Sequence, residues 1–322
     1  MSRMHDLLSA FAPIWTLTAI GYAAGRGRLL GEQAEAVLGR FVFHVAMPAA
    51  LFMMVSDARL GSFVNATVVV FAAGTVFVSG LGLLVARRFF GRKTADGAIS
   101  GMASGYVNSA NLGIPVAVQV LGDASFVAQV ILFQVLVVSP VILTLLDSGT
   151  DRGNTHWRAG LRRMLTMPVR NPVIMASLLG VCVSATGLRL PAAFTHSCDL
   201  LGSAAVPTAL ITLGLSLHTR PEPAACTAPV GRAELGTVVA LKTLVQPLIA
   251  FAVGGPLLLD LAGPQLLAVV LCSALPTAQN AFIYAGQYGL DTTLARNSVV
   301  ASTVVSMATL SLAAWALGPS HG

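Results

Sequence analysis

A chain of 322 residues that is 55% hydrophobic and only 10% charged, with a mean hydropathy of +0.79, cannot build a water-facing surface. Soluble domains carry about a quarter charged residues. A formal net charge of +6 could suit nucleic acid, but the basic residues are scattered between apolar runs, which excludes that role and makes them topology signals. The composition is that of an all-α, polytopic membrane protein.

Apolar runs of about 20 residues suffice to cross about 30 Å of hydrocarbon. Ten such runs are predicted, at 6–24, 36–55, 63–86, 96–121, 124–146, 171–188, 199–218, 234–255, 265–288 and 296–317. The first could be a secretory signal, since "YAAG" resembles a cleavage site. Its apolar core is long, however, and Arg26 and Arg28 follow it instead of preceding it, so it is read as an uncleaved helix with its N-terminus outside. Fourteen basic residues then fall in cytoplasmic loops: Arg26, Arg28, the four between Arg87 and Lys93, the five between Arg152 and Arg170, and Arg220, Arg232 and Arg296. Only three, Arg3, Arg59 and Arg189, fall outside. That bias places both termini on the outer side of the cytoplasmic membrane.

The second run carries "AMPAAL" at 46–51, and its counterpart "AVPTAL" at 205–210 lies in the seventh. The fourth has "GIP" ending at Pro115, and the ninth has "ALP" ending at Pro276. Because five is odd, a second five-helix copy lies upside down relative to the first, the inverted-repeat arrangement of secondary transporters. The expected organisation is a first repeat over 1–146, a cytoplasmic linker over 147–170 and a second repeat over 171–322. The linker contains "HWRAGLRRMLTMPVR", basic and roughly amphipathic, which suits the anionic inner membrane surface.

Asn108, Asn111, Gly113 and Pro115 in the fourth run, and Pro276, Gln279 and Asn280 in the ninth, put helix breakers and amides where lipid should be. Proline removes a backbone donor and crowds the carbonyl four residues earlier. A broken helix survives at membrane depth only when buried in protein or lining a wet cavity. Asn108, Asn111, Gln279 and Asn280 could satisfy the freed backbone groups, act as interhelical glue, or bind a substrate. Half-helices starting at Pro115 and Thr277 would meet near the midplane with their positive N-terminal ends converging, which favours an anion. Gly97, Gly101 and Gly105 form overlapping GxxxG spacings, read as a helix-packing face.

All thirteen acidic residues lie in loops or near the ends of runs. A cation pathway or carboxylate relay needs a buried Asp or Glu, so the substrate is anionic or neutral. Lys242 stands eight residues past Glu234, about 12 Å along a helix at 1.5 Å per residue, and either snorkels to the cytoplasm or helps an anion enter. His44, before Pro48, is either a packing histidine or a group that titrates during transport. Cys182, Cys198, Cys226 and Cys272 have no metal-ligand spacing, and no metal or cofactor is expected. GxxxxGK[ST], GxSxG and HExxH are absent, which argues against an enzyme.

At these residues the chain resembles the auxin efflux carrier family, whose bacterial members include proteins assigned as malonate permeases. The resemblance rests on Asn108 followed by Gly113, Ile114 and Pro115, and on Ala274, Leu275 and Pro276 followed by Phe282, Ala285 and Tyr288. "FHVAMPAALF", "LGSAAVPTALITLGLSL", "RNPVI" and "LKTLVQPLI" are similar to family segments as well, so the whole chain is covered. The resemblance implies ten helices in two inverted repeats. Spans one, two, six and seven would form a scaffold that pairs with a second copy, and the others a mobile bundle crossing at Pro115 and Pro276. A small carboxylate would bind at that crossing, on Asn108. Asn111 and Asn280 stand where plant members have apolar residues, and the long cytoplasmic insertion of many plant members is missing. Both departures point away from an indole acid toward a smaller, more polar anion. The alternative is a sodium-coupled organic-anion symporter of the bile-acid type, with backbone carbonyls at the crossing holding the ion.

Overall fold

The computed structural model describes residues 2–31, 33–57, 65–123, 125–150, 172–218, 230–261 and 263–317. The linker expected over 147–170 lies outside the described residues beyond Thr150. Among the described residues all regular structure is helical, apart from one isolated antiparallel bridge between Val107 and Thr277.

In chain order the helices are α1 (Ser2–Arg26), α2 (Ala34–Ser56), α3 (Ala66–Phe89), α4 (Thr94–Gly105), α5 (Ile114–Leu121), α6 (Ser125–Thr150), α7 (Pro172–Thr186), α8 (Ala192–His218), α9 (Arg232–Gly255), α10 (Gly263–Ala274), α11 (Asn280–Gln287) and α12 (Thr293–Leu317). Helices α2, α3, α6, α8, α9 and α12 are each long and apolar enough to cross a membrane, and α7 and α10 are shorter apolar helices. Their outer faces are greasy: Val76, Phe77 and Leu248 are 62%, 59% and 64% exposed, and Trp315 is 81% exposed. Such surface is untenable in water and suits hydrocarbon. The protein is therefore a multi-pass membrane protein.

Prolines shape these helices in a repeated way. The π turns Val42–Ala46, Ser109–Gly113, Gln134–Val138 and Leu241–Val245 each end two residues before a proline, at Pro48, Pro115, Pro140 and Pro247. A proline cannot donate to the carbonyl four residues back and its ring crowds that oxygen. Widening the preceding turn relieves the clash while the helix continues. Sequence reading placed the second half-helices at Pro115 and Thr277. Instead helical structure resumes earlier in the first case, at Ser109, and later in the second, at Asn280. Pro115 therefore sits inside a continuous helical stretch, where the π turn ahead of it accommodates its missing N–H.

Two groups of helices emerge from the packing. α1 lies on α8, α7 on α2, and α8 on α2. Separately, α3 packs on α4, α4 on α6, α9 on α10, and α10 on both α3 and α12. Small residues permit the closest approaches. A Cβ on Gly101 would stand 2.6 Å from the Ser79 carbonyl oxygen of α3, so the α4 glycines are where α3 and α4 touch. Gly101→Val is expected to destabilise the protein by about 1–3 kcal/mol, the usual cost of overpacking, read as a lower melting temperature in detergent. Gly80→Ala on α3, where a Cβ meets nothing within 4 Å, should leave the melting temperature equal or higher.

Candidate functional site

α4 and α10 both stop inside the protein, and the chains that leave them cross. The backbone N–H of Asn108 donates to the Pro276 carbonyl at 2.8 Å, and that of Ala278 donates to the Tyr106 carbonyl at 3.2 Å. Those two bonds leave Val107 and Thr277 facing away from each other, and other helices supply their partners. Gln134 of α6, 1% exposed, accepts from Val107 N–H at 2.7 Å and donates through Nε2 to the Val107 carbonyl at 3.0 Å and to Ser109 Oγ at 2.7 Å. Ser302 Oγ of α12 accepts from Thr277 N–H at 3.0 Å.

The helix C-termini are closed as carefully. Thr277 Oγ1 donates to the Ala103 carbonyl at 2.6 Å, and Gln246 Nε2 donates to the Gly105 carbonyl at 3.1 Å. Lys242 Nζ donates to the Ser273 carbonyl at 3.1 Å and to Gln246 Oε1. A buried backbone group without a partner costs about as much as a lost hydrogen bond, which is why a break at this depth needs so many donors and acceptors.

The backbone is thus satisfied by Gln134, Thr277, Ser302, Gln246 and Lys242, and the amides at the break itself are turned elsewhere. Asn108, Asn111, Gln279 and Asn280 all line one cavity of about 110 Å³. Its crossing wall also includes Tyr106, Ser109 and Gln134, and its opposite wall is Met47, Ala50, Leu51 and Met54 of α2 with Ala205, Val206 and Ala209 of α8. The cavity therefore sits between the two helix groups. Asn108 and Gln279 are 3% and 5% exposed. Asn111 Nδ2 and Gln279 Oε1 are buried without a hydrogen-bond partner among the described residues. Among the described residues, none that lines the cavity is charged. Asn280 meets the Tyr106 hydroxyl, which also lies 3.1 Å from Ser139 Oγ.

The other residues singled out in the sequence are placed differently. Gly113 ends the π turn in a tight place, where a Cβ would press on Leu275 Cδ1 at 3.0 Å and Val127 Cγ1 at 3.1 Å. Pro276 lies in the extended crossing segment and gives its carbonyl to Asn108. Lys242, 0% exposed, does not line the cavity and does not snorkel. Its side chain is folded onto the helix breaks behind the crossing. His44 is exposed in the α2 π turn, with Nδ1 3.0 Å from the Arg40 carbonyl and Nε2 3.4 Å from Gln287 Nε2.

Arg40 and Gln287 belong to a second cavity, about 340 Å³, lined also by Glu35, Thr212 and Phe282. Along α2, Phe43 comes between the two linings, and its ring meets that of Tyr284 of α11 edge to face at 5.7 Å. A larger cavity of about 620 Å³ lies away from the crossing, among Asn65, Asp123, Phe126 and Leu267. It holds neither break and none of the singled-out amides, so size alone does not make it the site.

Gln134, Gln246, Thr277 and Ser302 were not singled out from the sequence. A lone amide in an apolar run, "LFQVLVV" or "LVQPLI", is the signal that could have found the first two.

Comparison with known proteins identifies the family. The family described as "Membrane transport protein" matches residues 6–314. A Rhizobium meliloti protein named "Putative malonate transporter" is 26% identical over 321 residues, covering 95% of this chain and 94% of the relative. "Uncharacterized transporter YfdV" of Escherichia coli K12 is 27% identical over 308 residues, covering 91% of each chain. "Probable auxin efflux carrier component 3b" of Oryza sativa subsp. japonica is 28% identical over 166 residues, 48% of this chain and 27% of the relative. The chain belongs to the membrane transport protein family, that of the auxin efflux carriers, and is a membrane transporter.

Proposed function

We propose that this protein carries a small organic anion, a carboxylate of malonate size, across the cytoplasmic membrane by alternating access. The observation that carries the reading is the pair of buried amide atoms, Asn111 Nδ2 and Gln279 Oε1, without a partner among the described residues, on two residues that line the cavity at the crossing. An unpaired buried polar atom costs about 1–3 kcal/mol, so a ligand that pairs it gains that much. Asn111 offers a donor to a carboxylate oxygen, and a half-turn of the Gln279 amide presents a second. Ser109 and Asn280, the first residues after each break, bring the positive ends of two helical segments to the same place, worth about 0.3–1 kcal/mol each for an anion. At about 110 Å³ the space is well below the roughly 300–1,000 Å³ of drug-sized sites, which suits a few heavy atoms and not an indole acid.

The packing supports ten spans in two inverted repeats, and the excess of basic residues in the loops read as cytoplasmic supports both termini outside. The first helix of the N-terminal half packs on the second of the C-terminal half, α1 on α8, and the reciprocal pair α7 on α2 is present too. Each crossing strand takes a side-chain partner from the last span of its own half, Gln134 for Val107 and Ser302 for Thr277. Two cavities, one between α2, α8 and the crossing and one between α2, α8 and α11, with Phe43 between their linings on α2, suit a bundle that slides against a scaffold and exposes one site alternately.

The test is uptake of labelled malonate by purified protein in proteoliposomes, with unlabelled mono- and dicarboxylates as competitors. Saturable uptake is expected. Asn108→Ala and Gln279→Ala should each lower it by about tenfold or more, the loss of one hydrogen bond to a charged group. Uptake and binding left intact in both variants would move the site elsewhere. Absence of uptake and binding for every carboxylate would remove the substrate class.

A further inference from the structure

Lys242 is a buried lysine that meets no carboxylate among the described residues. It is 0% exposed, in the middle of α9, and among the described residues the acceptors of its Nζ are Gln246 Oε1 and the Ser273 carbonyl. Beside it lies the Cys272 thiol. Gln246, one turn further on and also 0% exposed, passes the contact along, donating to the Gly105 carbonyl and to Thr75 Oγ1 at 3.1 Å each. Gly105 is the last residue of α4, and Ser273 is the last but one of α10. Both broken helices therefore end on this pair.

A helix C-terminus carries the equivalent of about half a negative charge, so two ends meeting in a water-poor interior call for about one positive charge. Transporters built on broken helices meet that need with a coupling ion held by such carbonyls and half-helix ends. Here an ammonium group on a four-carbon stem is already bonded there.

We propose that Lys242 is a tethered cation standing in for a coupling ion at the C-terminal ends of the two broken helices, so that this carrier works without sodium. The inference deepens the transport reading and rests on it. It also decides against the sodium-coupled alternative, because the carbonyl and amide oxygens that would ligate sodium are taken by Nζ. Lys242 is then a positioning residue: it touches the crossing from behind and the anion binds in front.

Two measurements test it. First, uptake by wild-type proteoliposomes is followed in sodium, potassium and N-methylglucamine media, and should be equal in all three. Lys242→Ala should lose about tenfold in N-methylglucamine, the size of one lost charge-assisted contact, and regain activity when methylammonium or sodium is added. A wild type that needs sodium overturns the proposal. So does a Lys242→Ala protein that matches wild type in every medium, or one that is folded yet restored by no cation.

Second, thermal unfolding in detergent is compared in sodium and N-methylglucamine for wild type and for Lys242→Met, whose apolar stem fills the same space. Sodium should leave wild type unmoved and stabilise Lys242→Met, because only the variant has vacant oxygens. Stabilisation of wild type, or none of the variant, overturns the proposal. This arm needs no transported substrate, so a wrong substrate class and a wrong role for Lys242 give different results.

Discussion

Gln134→Leu is expected to be the most damaging single substitution in the crossing. Leucine fills nearly the same space, so the packing of α6 survives and the loss is one of hydrogen bonding. Three bonds go at once: Val107 N–H, the Val107 carbonyl and Ser109 Oγ. The Val107 N–H then has no partner among the described residues, because the chain is extended there and Val107 is 0% exposed. Ser109 Oγ, on a residue 3% exposed, loses its amide donor, while the Val107 carbonyl keeps the Ser109 N–H at 2.9 Å. At about 1–3 kcal/mol for each unsatisfied group, the cost is about 2–6 kcal/mol, against a total stability of about 5–15 kcal/mol. The expected result is a protein that is recovered poorly from membranes and melts well below wild type in detergent. Ser302→Ala removes only the acceptor for Thr277 N–H, so its loss should be about half as large. A Gln134→Leu melting temperature equal to wild type would show that water or another group satisfies Val107, and the account of the crossing would have to change.

That contrast also marks what was legible in the sequence and what was not. The helices were legible because a lipid-facing helix must be apolar along its length, and Val76, Phe77, Leu248 and Trp315 are exposed for that reason. The breaks were legible because Pro115 and Pro276 stand beside amides in matching runs. The identity of the groups that repair the breaks was not. Gln134 serves Val107 from 27 positions away, Thr277 serves Ala103 from 174, and Gln246 serves Gly105 from 141. Nothing in one chain's spelling says which helix each of these residues faces.

Lys242 shows the same limit. Helical rise gives its depth, but depth does not give the azimuth around α9, and the azimuth separates a snorkelling lysine from one that closes two helix ends. The starts of the second half-helices were misplaced for a related reason. Proline marks where a donor is missing, and a π turn before Pro115 lets helical structure begin ahead of it, whereas Pro276 sits inside an extended stretch. The four amides stood out in the sequence, and all four line one cavity. Their convergence on one cavity depends on the crossing, which takes both halves of the chain to build.

Arg92→Ala is the second large effect expected. Arg92 precedes α4 and Glu234 opens α9, and the two form a fork-to-fork ion pair, Nε to Oε1 at 2.8 Å and Nη2 to Oε2 at 2.6 Å. The side chains are 7% and 2% exposed, so the pair is out of water. Removing one partner of such a pair leaves the other charge buried without it, at about 3–5 kcal/mol. Arg92→Lys should recover only part of that, because an ammonium cannot span both carboxylate oxygens. The Arg92→Ala, Glu234→Ala double variant should melt above either single variant, since it buries neither charge alone; melting temperatures for the full cycle measure the coupling.

The same cycle bears on mechanism. α4 and α9 both belong to the bundle that contains the crossing, so the ion pair lies within one moving body on the proposed reading. A contact internal to that body is present at every stage of the cycle and cannot favour one side over the other. The double variant should therefore transport at close to the wild-type rate once its stability is restored. If it is stable and slow, the pair is broken and remade during transport, and α4 and α9 do not move together.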